Sequence, residues 1–293
     1  MSIPILIILN ILFALYWIFK LKRQFLLSVI VLLVGFQYVN RFYNLNEKKI
    51  LLTSDTKVMS YNVRMFNLYE WIDDKQVPSK LYAFINEKDP DILAIQEFQP
   101  DPDIGFKFPY QYIQLSKKNK QFGHAIFSKF KIINTGTLNF EDSSNNAIFA
   151  DIVKGEDTVR VYNVHLESLK INPQKDNFDQ EIDEKLISRV KESFKKQADQ
   201  ALMIQNHIEE YQGKSIICGD FNNTPFSWPY HHLLKNKVDA FEEAGQGFGS
   251  TYKTFFPMRI DFILSDKMLT VNNFKTFKVN YSDHYPIMAR IQF

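Results

Sequence analysis

Ser215-Ile216-Ile217-Cys218-Gly219-Asp220-Phe221-Asn222 is an apolar run that ends in a glycine, an acid and an amide. Its first half has the composition of a buried strand, and its second half sets two polar side chains just past the strand end. The same construction recurs on both sides of it. Asn62 follows Val58-Met59-Ser60-Tyr61, Glu97 follows Ile92-Leu93-Ala94-Ile95-Gln96, and His165 follows Val159-Arg160-Val161-Tyr162-Asn163-Val164. Asp261 lies inside Ile260-Asp261-Phe262-Ile263-Leu264, and Asp283-His284 precedes Ile287-Met288-Ala289-Arg290-Ile291. Polar groups beside buried strands are costly unless partnered, so a converging cluster explains this pattern better than separate accidents. Strand ends are where α/β folds build their sites.

With His124-Ala125-Ile126-Phe127 as a further strand, the region from residue 57 onward is β-rich, with polar turns and no internal repeat. From Lys185 to Tyr211 the apolar residues Leu186, Val190, Phe194, Ala198, Ala201, Ile204 and Ile208 recur at helical spacing. Strands and helices mixed in this way predict two packed sheets with helices outside.

The first 50 residues differ. Ile3–Phe19 is apolar apart from Asn10, and after Lys20-Leu21-Lys22-Arg23-Gln24 a second apolar run extends over Phe25–Val39. Each run is slightly short of the ~20 residues that span a bilayer, while Tyr16, Trp17 and Tyr38 suit the membrane interface. The pattern predicts a transmembrane helical hairpin in residues 1–45 (helices about 3–19 and 25–39), a linker over 46–56 and a catalytic domain over 57–293. A pair of buried core helices is the plainer alternative. A cleavable signal peptide fits poorly, since no charge precedes the first run. Cationic loops resist translocation, so Lys20, Lys22 and Arg23 predict a cytoplasmic turn in the inner membrane and an extracytoplasmic, periplasmic domain. Arg41, Lys48 and Lys49 weigh the other way.

The formal charge of +2 over 293 residues conceals an asymmetry: residues 1–50 carry six of the 35 basic side chains and one of the 33 acids. Residues 51–293 therefore hold 29 basic and 32 acidic groups. A domain that grips long polyphosphate backbones is usually basic, and this one is not. The 27 phenylalanines of the whole chain supply a large core. The single cysteine, Cys218, sits in an apolar strand and builds neither a disulfide nor a zinc site.

Carboxylates and amides at strand ends suit a hard cation, Mg²⁺ or Mn²⁺, which leaves coordination positions for phosphate oxygens. Histidines and acids beside it position or deprotonate water and stabilise a leaving oxygen, the requirements of phosphoester hydrolysis. Zinc lacks a close His/Cys spacing here, and a serine hydrolase lacks its G-x-S-x-G elbow.

Six motifs in order carry a resemblance as well: Ser60-Tyr61-Asn62-Val63-Arg64, Ile95-Gln96-Glu97, Asn163-Val164-His165-Leu166, Gly219-Asp220-Phe221-Asn222, Arg259-Ile260-Asp261-Phe262-Ile263 and Ser282-Asp283-His284-Tyr285-Pro286. From about residue 57 to the C-terminus the chain resembles the endonuclease/exonuclease/phosphatase superfamily, with its deoxyribonuclease-I-like fold, and the helices before it resemble membrane-anchored bacterial members. The resemblance implies a four-layer α/β sandwich, two central mixed β-sheets flanked by helices. It implies that Glu97 and Asn62 hold the metal with Asp283 near it. Asp220 then orients or deprotonates the attacking water, Asn222 fixes Asp220 and the phosphate, His165 bonds the scissile phosphate, and Asp261 orients His284. Which histidine is the general acid stays open.

Each residue also has a plainer reading. Asn62 alone suits a turn, Asp220 and Asn222 an Asx turn, Asp261 a partner for Arg259, and His284 a strand cap. Arg64 either forks onto phosphate or covers surface. His124 reads as a strand residue near the cleft, His207, His231 and His232 as helix-surface or loop residues, and Ser250-Thr251-Tyr252 as a plain loop. The polar segment Lys170–Glu184 is placed to overhang the cleft. Arg64 stands where abasic-site nucleases of the superfamily carry an acid, and His165-Leu166 where they show a tyrosine followed by a proline-asparagine pair. These departures favour the deoxyribonuclease-I-like, sphingomyelinase-like and inositol-phosphatase-like branches. A lipid headgroup, a small phosphodiester and nucleic acid all remain substrates of the expected type. A catalytically inactive, membrane-tethered binding or scaffold module of the same fold is the alternative.

Overall fold

The computed structural model describes residues 2–45, 47–101, 105–116, 121–169 and 184–293. Helices α1 (Ser2–Phe19), α2 (Phe25–Val34) and α3 (Phe36–Phe42) come first. Then follow β1 (Thr56–Asn62), α4 (Val77–Lys88), β2 (Ile92–Phe98), β3 (Tyr110–Leu115), β4 (Gly123–Ser128), β5 (Lys131–Asn139), β6 (Asn146–Lys154) and β7 (Asp157–His165). The remainder is α5 (Glu184–Glu210), β8 (Lys214–Asp220), α6 (Trp228–Leu233), β9 (Lys237–Asp239), α7 (Ala240–Ala244), β10 (Asp261–Asp266), β11 (Thr270–Thr276) and β12 (Ile287–Gln292).

The strands form two six-stranded mixed sheets, ordered β11-β12-β1-β2-β4-β3 and β5-β6-β7-β8-β10-β9. In each, one central pair is parallel, β1 with β2 and β7 with β8. Alternation along the strands divides the apolar side chains between two faces. Val58, Ile92, Ala94, Val161, Ile216 and Cys218 pack between the sheets. Met59, Tyr61, Leu93 and Ile95 turn outward onto Leu81, Tyr82 and Ile85 of α4. Tyr162, Val164, Ile217 and Phe262 turn outward onto Ala201 and Ile204 of α5. The result is helix, sheet, sheet, helix.

All seven expected strands are present. The strands not anticipated are mostly at edges, such as β3 and β5, whose exposed residues carry no apolar alternation. β6 is buried, but Asp151 interrupts its apolar run; Arg160 opposite it on β7 satisfies that carboxylate at 2.7 and 2.8 Å.

Two expectations change. The apolar run over 25–39 is not one helix: it breaks at Gly35, and α2 and α3 meet at a 77° bend. Glycine is the least helix-stabilising residue in that run. No single helix among the described residues is long and apolar enough to cross a membrane. In α5 the expected stripe holds at Ala201, Ile204 and Ile208, but Phe194 is exposed and the polar Ser193, Gln197, Gln200 and Gln205 are buried.

α3 and the residues after it are fastened to α7 and to β11 of the domain. Arg41 reaches Glu242 of α7 at 2.6 Å, Asn44 donates to the carbonyls of Phe241 and Glu242, and Lys48 pairs with Glu243.

Candidate active site

Strand register assembles the site. In the second sheet His165, the last residue of β7, lies opposite Asp220, the last of β8, and Asp220 lies opposite Asp261, the first of β10. In the first sheet Asn62 ends β1. Glu97 sits at a register shift of β2 against β4 with φ +52, so a β-bulge re-aims its side chain. β7 and β8 approach so closely that a Cβ at Gly219, φ +140, would run into the Val164 carbonyl. This glycine lets His165 and Asp220 stand side by side.

The contacts converge on one oxygen. Asp220 Oδ2 lies 3.5 Å from His165 Nε2, 3.6 Å from His284 Nε2 and 3.1 Å from Asn62 Nδ2. His284 turns its Nδ1 to Asp261 Oδ2 at 2.9 Å, which orients its Nε2 toward the cluster. Asn62 Nδ2 also donates to Glu97 Oε1 at 3.2 Å, and Asn62 Oδ1 accepts the Arg64 N–H. Asp220 Oδ1 accepts the backbone N–H of Asn222 at 2.8 Å.

Burial divides the two histidines. It favours the neutral ring in both, but the Asp261 and Asp220 carboxylates overcome it at His284 and raise that imidazole to about 10. At His165 burial prevails over Asp220, and the ring titrates below its ordinary value. Burial also lifts the carboxyls of Asp220 and Glu97, against the pull of His284 on the first and the Asn62 hydrogen bond on the second. One cationic and one neutral imidazole thus face the same carboxylate.

The expected residues Asn62, Glu97, His165, Asp220, Asp261 and His284 come together. Arg64 and Asp283 pair with each other at 3.2 Å. Arg64 also lies over the Trp71 ring at 4.2 Å and opens a turn of left-handed residues, Arg64 to Asn67, with φ from +46 to +65. Such a turn is strained for non-glycine residues and is a feature of functional loops. Asn222 fixes Asp220 through its backbone; its side-chain amide donates to the Leu166 carbonyl instead. Of the overhang expected at Lys170–Glu184, residues 170–183 lie outside the described residues.

Three supports go beyond the roles read from the sequence. Gln200 Oε1 accepts the Glu167 N–H and Gln197 Nε2 donates to the Glu167 carbonyl, so α5 clamps the chain just beyond His165. Gln96 Nε2 donates to Asn163 Oδ1 at 2.6 Å, and Asn163 Nδ2 returns to the Ile95 carbonyl, tying the two sheets beneath the site. The Ser250-Thr251-Tyr252 segment, expected as a plain loop, belongs to the site: Thr251 Oγ1 accepts the Asp261 N–H, and Tyr252 lays its ring 5.0 Å from His284. His124, read as a strand residue near the cleft, sets its ring 5.8 Å from His165.

The donor set suits a hard cation. Asp220, Asp261 and His284 offer ligand atoms within 4.8 Å of one another but direct them at one another, whereas the Glu97 carboxyl and the Asn62 amide, 3.2 Å apart, are oxygen donors of the kind a hard cation takes.

Acids and imidazoles held at the strand ends of two packed sheets define a phosphoester hydrolase. The chain belongs to the Endonuclease/Exonuclease/phosphatase family, whose sequence profile matches residues 59–284. A second profile, a domain of unknown function (DUF8431), matches residues 1–42. None of the curated proteins searched matches. Solved structures share the fold at low identity. A Bacteroides thetaiotaomicron mannosyl-6-phosphatase is 17% identical, over 81% of this chain and 100% of that one, with TM-score 0.62. TDP2 of D. rerio, humanised by 14 mutations, is 15% identical over 82% and 100%, TM-score 0.63. The human Nocturnin catalytic domain with bound sulfate is 18% identical over 83% and 96%, TM-score 0.60.

Proposed function

We propose that the chain is a membrane-anchored, divalent-metal-dependent phosphoester hydrolase whose catalytic domain faces the extracytoplasmic side of the inner membrane. The observation that carries the chemistry is the convergence of His165, His284 and Asn62 on Asp220 Oδ2. Asp220 orients the attacking water and accepts its proton. His284, held cationic by Asp261, donates to a phosphate oxygen and stabilises the charge that develops there. Neutral His165 donates a hydrogen bond to the same phosphate, and Arg64 guards the rim. Glu97, with Asn62 beside it, is the residue placed to hold Mg²⁺ or Mn²⁺; Asp283, paired with Arg64, stands near. The bound ion supplies charge neutralisation for the phosphate.

Membrane anchoring rests on α1 and α2. Leu6, Leu9, Ile11, Phe13, Leu15 and Phe19 of α1 and Leu27, Ile30 and Leu33 of α2 are exposed, an apolar surface that water does not favour. The start of α1 lies beside the domain, where Ile5 and Phe226 line one cavity. Lys20, Lys22 and Arg23 stand ~27 Å away, at the far end of an 18-residue helix rising 1.5 Å per residue.

In the test, full chain in nanodiscs hydrolyses phosphoesters with Mg²⁺ or Mn²⁺ and stops in chelator. Glu97→Ala, Asp220→Ala and His284→Ala each lower kcat by about 10²-fold or more. Undiminished hydrolysis in excess chelator defeats the reading.

A further inference from the structure

A cavity of about 290 Å³ lies where the N-terminal helices meet the domain. Ile5 of α1, Phe42 of α3, Pro225, Phe226, Phe248 and Phe256 supply apolar wall. The two arginines at its border are turned away, Arg41 to Glu242 and Arg259 to Asp239. The cavity wall is therefore mainly apolar, and both arginines at its border are paired with carboxylates.

It is joined to the active site by two short segments. Pro225 and Phe226 follow Asp220-Phe221-Asn222 after two residues. Tyr252 pairs in antiparallel bridges with both Met258 and His284, so one strap touches the catalytic imidazole at its base and the cavity at its tip. At that tip Phe256 stacks on Phe42 at 6.0 Å, and Phe255 is wholly exposed. Ile5, an exposed apolar residue of α1, lines this cavity together with Phe256, whose neighbour Phe255 is exposed.

We propose that this cavity holds a hydrocarbon tail of a bilayer lipid whose phosphoester headgroup is the substrate at Asp220 and His284. The helices that contribute Ile5 and Phe42 to the wall select the occupant, because α1 carries exposed apolar side chains along its length. A tail enters directly from a leaflet in which α1 is embedded, and the domain's slight acidity argues against an extended polyanion. The inference rests on the phosphoester-hydrolase reading and adds the source of the substrate. The reaction is hydrolysis: water oxygen bonds to phosphorus, one ester P–O bond breaks, and the departing alcohol oxygen takes up a proton. Phe255 dips below the headgroups and the Tyr252 strap holds His284 over the phosphate.

The experiment uses full chain in nanodiscs containing phosphatidylethanolamine, phosphatidylglycerol and phosphatidic acid, with 4-nitrophenyl phosphate and bis(4-nitrophenyl) phosphate as soluble substrates. Lipid products are followed by mass spectrometry. Phe42→Ser and Phe226→Ser are expected to reduce lipid hydrolysis by about tenfold or more, the scale of losing an aromatic contact, while soluble-ester rates stay within about twofold. A phosphatidic acid carrying a diazirine in its acyl chain is expected to crosslink to peptides containing Phe42, Phe226 or Phe256. Soluble-ester hydrolysis with no lipid turnover overturns the inference and leaves the hydrolase reading intact. Parallel loss on both substrate types, or crosslinks confined to residues 5–34, also overturns it. Absence of turnover on every substrate removes the hydrolase reading and this inference together.

Discussion

His124 shows what single residues contribute beneath the chemistry. Its ring is buried edge-on to His165, and burial together with the neighbouring imidazole lowers it to about 3. A base kept neutral in the folded state gives its full stabilisation above the unfolded value of ~6.5, and that stabilisation is lost as pH falls toward 3. Each pH unit below ~6.5 costs about 1.4 kcal/mol for such a group. His165 is shifted in the same direction. Urea unfolding from pH 7 to pH 4 is therefore expected to show a steep loss of stability. His124→Asn should be less stable at pH 7 yet lose less on acidification; an unchanged slope would show that His124 does not drive it. At this scale the sequence was informative about chemistry and silent about environment. Asp220, Asp261 and His284 stand out as acids and an imidazole next to apolar runs, but nothing local says that one histidine is held cationic and the other neutral. That difference comes from which carboxylates face each ring.

Among the elements, α3 behaves as part of the domain. Arg41, Glu242, Arg259 and Asp239 form one charge-balanced group around the Tyr230 hydroxyl, whose single proton lies between carboxylate oxygens of Asp239 and Glu242 at 2.8 and 2.7 Å. Asn44 is fully buried, and its amide donates to two carbonyls of α7. Removing that amide leaves buried carbonyls unpaired, at a cost of about 1–3 kcal/mol. Arg41→Ala and Asn44→Ala are accordingly expected to lower the thermal midpoint in detergent, whereas Lys22→Ala in the outer turn should not. Equal midpoints for all three would mean that α3 only rests on the domain. The helix periodicity of α5 was legible, but not the face that matters. Gln197 and Gln200 are buried because they bond the chain after His165, and hydropathy counts them as surface. Edge strands such as β5 escaped because pairing on one side does not require an apolar pattern.

For the molecule as a whole, charge and topology yield two tests. Residues 51–293 carry 29 basic and 32 acidic groups, so nucleic acid, if bound at all, meets few phosphate-neutralising side chains. Its KM is expected to change less than about tenfold between 50 and 200 mM salt, since each neutralised phosphate adds to the salt slope. A steep slope with duplex DNA would point to a nuclease instead. A periplasm-active reporter fused after Phe293 should be active in a Gram-negative host and a cytoplasm-only reporter dark; the reverse places the domain inside. By itself the sequence determined the two-sheet class, the family and the identity of the reactive side chains, because apolar alternation and strand-end motifs are local properties. Only tertiary structure decided that His165, Asp220 and Asp261 stand in one row, that Glu97 turns inward on a bulge, and that the apolar run after Arg23 bends at Gly35 to dock on α7. Register, bulges and docking depend on which distant surfaces fit each other, and one-dimensional patterning does not encode that fit residue by residue.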